Sequence, residues 1–328
     1  MSILFAGTEG ESFATTQPPF VNAPNSNTNT YAYDSNFSRV GVQLYDDNYA
    51  FAAVDLGGIT DVWTRIRVGS EGLKNDVHTG VYSVWDNGGQ EIVRLSTSSS
   101  GMYMQYWNGS SWVSGATYNP SIATTELAIH CNIHDTAGSF AWYVGGTLIE
   151  EVLSGDTNLF AATAHYVSVR GWYDFDNIYF SEMVIADEDC RGMRVATIYP
   201  TAAGTTGAWT GAYTDVDETQ VNDSDFISSD TADQVSTYTM SDLAAALDAY
   251  DVVAFVGATR SLVGVTGPAN LQIAVRTGGT DYYSSNLSGM TTSFLNGHNN
   301  IWATNPDTAS AWTISEIEGL ELGVKSIT

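Results

Sequence analysis

The sequence predicts a mainly β protein: an antiparallel jelly-roll sandwich over residues 1–193, then a smaller β-sandwich with two short helices over residues 194–328. Three observations carry this. Tight turns rich in Gly and Asn separate short runs of β-branched and aromatic residues. Those runs follow one another without a helical period between them, which excludes alternating strands and helices. A cluster of small residues near position 200 then breaks the pattern.

The turns are the firmest elements. Asp86-Asn87-Gly88-Gly89 joins Val81–Trp85 to Glu91–Leu95, Asn108-Gly109 joins Met102–Trp107 to Trp112-Val113, and Gly145-Gly146 joins Phe140–Val144 to Thr147–Leu153. Residues that tolerate positive φ, set between such runs, are the strongest short-range hairpin signal. The strands predicted in the first domain are Arg39–Leu44, Tyr49–Asp55, Asp61–Val68, Val77–Trp85, Glu91–Ser96, Met102–Trp107, Glu126–His134, Phe140–Val144, Thr147–Leu153, His165–Gly171 and Asn177–Ala186. Gln17–Asn29, with three prolines and four asparagines, reads as a surface loop. The stretch Tyr199–Gly207 reads as an interruption between domains, since small residues and one proline break the strands. Beyond it, Asp251–Ala258, Asn270–Thr277 and Asp281–Ser285 read as strands, with Gly278-Gly279 as a hairpin turn. Ser241–Tyr250 reads as a helix capped by Ser241, with Leu243, Leu247 and Tyr250 on one stripe. Thr313-Ile314-Ser315-Glu316 is a capping box that predicts a second helix running through Leu320 to a stop at Gly323.

Eleven Lys+Arg against 37 Asp+Glu leave a net charge of −26. Such a surface repels phosphate backbones and anionic lipid, so nucleic acid is excluded as a partner and no membrane insertion is expected. The acidity is read as solvation; a saline habitat is the alternative, where a Debye length of about 3 Å at 1 M salt quiets self-repulsion. The first residues lack a basic region and a long enough apolar run for a signal peptide. Cys131 falls on an apolar strand face and Cys190 in the polar turn Asp187–Gly192, so two free thiols are expected.

Tyr143-Val144-Gly145-Gly146-Thr147-Leu148 and Phe180-Ser181-Glu182-Met183-Val184-Ile185-Ala186-Asp187 resemble the concanavalin-like (laminin G-like) jelly rolls of tailed-phage virion proteins. The second segment, through Leu271–Tyr282 and Asn305-Pro306-Asp307-Thr308, is similar to the β-sandwich that often follows them; the end, from Ala311-Trp312-Thr313 to Gly323-Val324-Lys325, adds to the likeness. The resemblance implies a non-enzymatic virion component: a tail fibre, baseplate part or capsid decoration. It also implies a homo-oligomer, a trimer being favoured, among other virion proteins. A free-standing carbohydrate-binding module is the alternative.

Concanavalin-like folds also host glycoside hydrolases, which place two carboxylates about 5–5.5 Å apart for retention, on alternate positions of one strand. No strand here carries Glu-x-Asp-x-Glu or Glu-x-Asp-x-x-Glu. Asp187-Glu188-Asp189, Asp215–Glu218, and Glu316, Glu318 and Glu321 on the second predicted helix read as solvated surface, and no enzyme is expected. His130 and His134 lie four strand residues apart, about 13 Å, too far for one ion; His78, His165 and His298 have no partner visible in sequence. No cofactor is expected. A structural Ca²⁺ at a loop tip is the alternative, with Asp174, Asp176, Asp223 and Asp225 as ligands, although neither loop has the Gly and Glu of an EF-hand.

Binding remains. Nine Trp and 18 Tyr can stack on sugar rings while a polar tip stays wet. If Val62, Thr64, Ile66 and Val68 face inward, then Trp63, Arg65 and Arg67 face outward. By the same alternation Tyr103, Gln105 and Trp107 oppose Met102, Met104 and Tyr106. Trp63, Tyr103 and Trp107 are therefore the predicted platform for host glycan or a partner.

Overall fold

The computed structural model describes residues 1–7, 13–14, 42–44, 49–52, 55–70, 78–119, 124–153, 157, 163–170, 178–219, 222–287 and 290–328. The predicted loop Gln17–Asn29 and the candidate ligands Asp174 and Asp176 lie outside them. The described residues up to Val195 form one compact unit and those from Ala196 to Thr328 another. Among the described residues no helix is long and apolar enough to cross a membrane.

The first unit is a sandwich of two antiparallel sheets. One sheet runs in the order β1 (Ile3–Gly7), β14 (Ile178–Ala186), β5 (Asp61–Ser70), β10 (Thr124–Asn132), β11 (Ser139–Val144) and β12 (Thr147–Leu153), with β3 (Val42–Leu44) also pairing with β14. The other runs β2 (Phe13–Ala14), β4 (Tyr49–Ala52), β13 (Tyr166–Arg170), β6 (His78–Trp85), β7 (Glu91–Ser98), β8 (Gly101–Trp107) and β9 (Trp112–Ser114). Sequential strands pair where a hairpin joins them, and the crossovers bring β5 between β14 and β10, and β6 between β13 and β7.

The core follows from the period-2 alternation of these strands. Val62 and Ile66 of β5, Leu127 and Ile129 of β10, and Phe140 and Trp142 of β11 are buried in one cluster with Tyr82 and Val84 of β6, Val93 and Leu95 of β7, and Met102 and Met104 of β8. The residues between them therefore face outward. Gly145 and Gly146, at φ 55° and 77°, and Gly278 and Gly279, at 57° and 84°, make hairpin turns that need positive φ at both positions.

The second unit has a five-stranded antiparallel sheet in the order β15 (Pro200–Gly207), β16 (Val235–Met240), β21 (Glu321–Ile327), β18 (Asn270–Thr277) and β19 (Thr280–Tyr283). A two-stranded sheet, β17 (Phe255–Ser261) and β20 (Leu295–Trp302), and the short helix α1 (Ile314–Glu318) complete it. Met240, Phe255, Val275, Trp312, Ile317 and Leu320 form its core.

Here the structure corrects four expectations. Pro200–Gly207 is an edge strand, not an interruption. Proline is tolerated at the first position of an edge strand, and the N–H groups of its irregular stretch are taken by side chains, Thr205 by Glu321 and Thr206 by Thr237. Ser241–Tyr250 is not a helix but an extended segment with one 3₁₀ turn, Ala245–Leu247. Ser241 exchanges hydrogen bonds with Tyr199 and so prolongs the β15–β16 pairing; ten residues are too few to hold a helix against that competition. The capping box at Thr313 does start α1, but the helix ends at Gly319, and the predicted stop, Gly323, lies inside the central strand β21. Finally β10 ends at Asn132, so His134 is beyond the strand, where its Nδ1 accepts from Thr136 N and Ala137 N.

Candidate functional site

The sheet that contains β13, β6, β7, β8 and β9 places two rows of side chains across its outer face. Register partners Tyr166 and Trp85, then Trp85 and Glu91, and at the far side Trp107 and Trp112, make the first row. Ser168, Ser83, Arg94, Gln105 and Ser114 are successive register partners and make the second. The row order follows from the ladder: five strands spaced about 4.8 Å apart span about 19 Å. Tyr103 is opposite Ser96, one row further on.

The polar row is a connected network. Ser83 Oγ donates to Glu91 Oε1 at 2.8 Å, and Arg94 Nη1 donates to Glu91 Oε2 at 2.5 Å. Arg94 Nε and Ser96 Oγ both donate to Gln105 Oε1, at 3.0 and 2.9 Å, and Gln105 Nε2 donates to Ser114 Oγ at 3.0 Å. Trp85 Nε1 donates to Ser168 Oγ at 2.6 Å. The Arg94 guanidinium lies 3.6 Å from the centroid of the Trp112 ring, and Trp112 meets Trp107 edge-on with centroids 5.8 Å apart. The serines at the floor are buried, as are Trp85, Tyr166, Glu91 and Gln105; Trp107, Trp112 and Tyr103 are half-buried, and Ser114 is exposed. Burial raises the pKa of the Tyr166 phenol, with Asp55 adding to the effect.

Of the three predicted contact residues, Tyr103 and Trp107 share this face and Trp63 does not. Trp63 is on β5, in the other sheet, so the three form no common platform. Its ring stacks on His130, with centroids 4.1 Å apart and planes 13° from parallel. The Arg191 guanidinium lies 5.2 Å from the Trp63 centroid and 4.1 Å from that of Tyr143. Trp63 thus has its stacking partners within the chain. Sequence reasoning missed Trp85, Trp112, Tyr166, Glu91 and Arg94; the aromatic residue on each side of the Asn108-Gly109 turn was the available signal.

Beside Trp63 lies a buried ion cluster. Arg65 and Glu182 are both fully buried on the outward side of β5 and β14. Arg65 Nη2 donates to Glu126 Oε2 at 2.8 Å, and its Nη1 donates to the Glu182 carbonyl at 2.8 Å. Arg194 grips the Glu182 carboxylate through Nε at 2.6 Å and Nη2 at 2.9 Å. Residues 190–195 are packed onto this face, with Cys190, Met193 and Val195 against Val184, Ala186 and Trp63.

That packing buries Cys190, which the sequence places in a polar turn. Asp189 and Arg191, paired with each other, take the solvent side. Both cysteines are free and buried, and burial pushes the Cys190 thiol up to about 12. Neither thiol should react with iodoacetamide near neutral pH until the protein unfolds, because the thiolate is the nucleophile. Rapid labelling of either in the native protein would contradict this burial.

The histidines separate. His130 Nε2 is 2.8 Å from Asp61 Oδ1, and His165 Nδ1 is 2.6 Å from Asp55 Oδ1. Among the described residues no group of three or more His, Cys, Asp or Glu could hold a metal ion. Asp223 is engaged by Arg260 through two hydrogen bonds of 2.7 Å, which hold its carboxyl below the usual carboxylate range.

No protein-family model matches the chain, and no curated protein matches it either. Among solved structures, an endo-β-1,4-glucuronan lyase from the fungus Trichoderma reesei is similar at 7% identity, over 56% of this chain and 96% of that one, with a TM-score of 0.40. The globular domain of T. cruzi calreticulin gives 10% identity, 57% and 89% coverage and a TM-score of 0.41. The alginate lyase vAL-1 from a Chlorella virus gives 11%, 56%, 91% and 0.36. At such scores the architecture rests on the strand order itself, which makes the first unit a two-sheet antiparallel sandwich of the jelly-roll kind.

Proposed function

We propose that this chain is a non-enzymatic glycan-contacting protein, and that the β7, β8 and β9 end of this outer face is its binding surface. The observation that carries the reading is the half-buried pair Trp107 and Trp112, with Tyr103 one row on, beside the hydrogen-bonding groups of Gln105 and the exposed Ser114; Trp85 and Tyr166 continue the row as buried residues. A sugar ring offers the matching pair of surfaces, an apolar C–H face for stacking and hydroxyls at its rim.

The finer reading is a virion component of a tailed phage, in a tail, baseplate or capsid-surface position, acting as a homo-oligomer on host surface glycan. It is supported by the sequence resemblance of Phe180–Asp187 and Leu271–Tyr282. Mass spectrometry of purified particles with separated tails tests it: absence of the chain from every particle fraction would refute the virion role and leave the binding surface standing.

For that surface, Trp112→Ala should weaken retardation in polysaccharide-containing native gels about tenfold, the equivalent of 1.4 kcal/mol, in a protein that remains folded. Unchanged retardation in the folded variant would remove this face from consideration. Incubation with the same polysaccharides should release neither reducing ends nor unsaturated uronate; either product would overturn the non-enzymatic assignment.

A further inference from the structure

We infer that Glu91 sets the class of glycan this face accepts, making it a surface for neutral polysaccharide and not for polyanions. The inference rests on the binding surface proposed above and concerns its selectivity.

Among the described outward residues of these strands the charged groups are Glu91, Arg94 and Arg170. Arg170 is at the end of β13, beyond Ser168 and away from Trp85 and Glu91. Arg94 is in the middle of the polar row, where a guanidinium would be the natural partner of a sugar carboxylate or sulfate. Glu91 already occupies that role. It is 9% exposed, accepts from Arg94 Nη1, and its other oxygen accepts from Ser83. Gly80 is so close that a Cβ there would lie 2.6 Å from Glu91 Oε1, which leaves the carboxylate little room to swing away. The second Arg94 contact, Nε to Gln105, and the stack on Trp112 fix the guanidinium in turn.

The centre of the face is therefore charge-balanced. An incoming anion would compete with Glu91 for Arg94 and would meet a chain of net charge −26. A neutral sugar needs only what remains on the row, the second N–H of the Gln105 amide, the exposed hydroxyl of Ser114 and the half-buried rings of Trp107 and Trp112. Rejection of the wrong ligand is thus built in as a second, pre-paired carboxylate.

The test uses the full chain and two sets of polymers in affinity electrophoresis: neutral ones (β-glucan, galactomannan) and uronates (alginate, polygalacturonate). Wild type should be retarded by a neutral polymer and not by the uronates. Glu91→Gln preserves size and frees the guanidinium, so it should gain uronate retardation at least tenfold, and the double variant Glu91→Gln/Arg94→Gln should lose that gain. Wild-type retardation by uronate equal to that by neutral polymer, or a folded Glu91→Gln protein with no gain, would overturn the inference while leaving glycan binding intact. Retardation by no polymer would remove the binding surface itself and the inference with it. A readout that needs no variant is salt: wild-type binding should hold between about 0.01 M and 1 M, across which the Debye length falls from about 30 to 3 Å, and a steep loss would point to anion binding and overturn the assignment.

Discussion

Glu182→Ala is expected to lower the stability of the first unit by about 3–5 kcal/mol, the cost of removing one partner from a buried ion cluster. The carboxylate is fully buried and accepts from Arg194 at 2.6 and 2.9 Å, with Arg65 at 3.4 Å and Arg67 at 3.8 Å. Without it Arg65, itself fully buried, is left among the described residues with Glu126 and the carbonyl of residue 182 against its charge. The residue also sits at φ 49°, inside the register shift between Ser181 and Val184, a conformation unfavourable for a side-chain-bearing residue. It persists because the bulge aims the carboxylate at three guanidinium groups. Urea unfolding measures the loss; a decrease below about 1 kcal/mol would mean that water or a rearranged Arg194 replaces the cluster.

The second large effect is expected at Gly323. A Cβ on this residue would lie 2.7 Å from the Thr237 Cα and nearer still to the Ser236 carbonyl, both backbone atoms of β16. Strand β21 is hydrogen-bonded to β16 on one side and β18 on the other, so it cannot move away from one without breaking the other. Gly323→Ala should cost more than about 4 kcal/mol, the range in which single substitutions are exceptional. Hydrogen exchange offers the readout: amide protection in β16, β21 and β18 should collapse. Retained protection would show that the sheet can open locally at this point.

Local chemistry was readable in the sequence and non-local pairing was not. The hairpin turns at 86–90, 108–111 and 145–146 announce themselves because positive φ demands particular residues, and the inward set Val62, Ile66, Met102 and Met104 follows from alternation. Alternation also points Trp63, Tyr103 and Trp107 outward, yet it cannot say which sheet each strand joins. That is why three residues read as one platform fall on two sheets. The rows across β13 to β9 appear only when register is known, since Glu91, Arg94 and Gln105 have no common spacing. Arg65 and Arg67, outward on a strand, would ordinarily be solvated; Arg65 is buried because residues 190–195 lie over the same face. Gly323 reads as a helix stop in the sequence, yet lies in β21, because an isolated glycine signals equally a C-cap or a close backbone approach.

The aromatic and polar rows have one further property. Within each row every member belongs to a different strand, so neighbouring points along a row are connected by hydrogen bonds between strands and not by sequence adjacency. A substitution in the polar row changes the side-chain partners of its neighbours as well, while the backbone ladder beneath stays as it is. Several of these points flank the turns at 86–90 and 108–111, where length can also change without disturbing the core. The face is thus a set of side chains lent by separate strands to one fixed ladder, so its chemistry can be rewritten while the sandwich beneath it keeps its register.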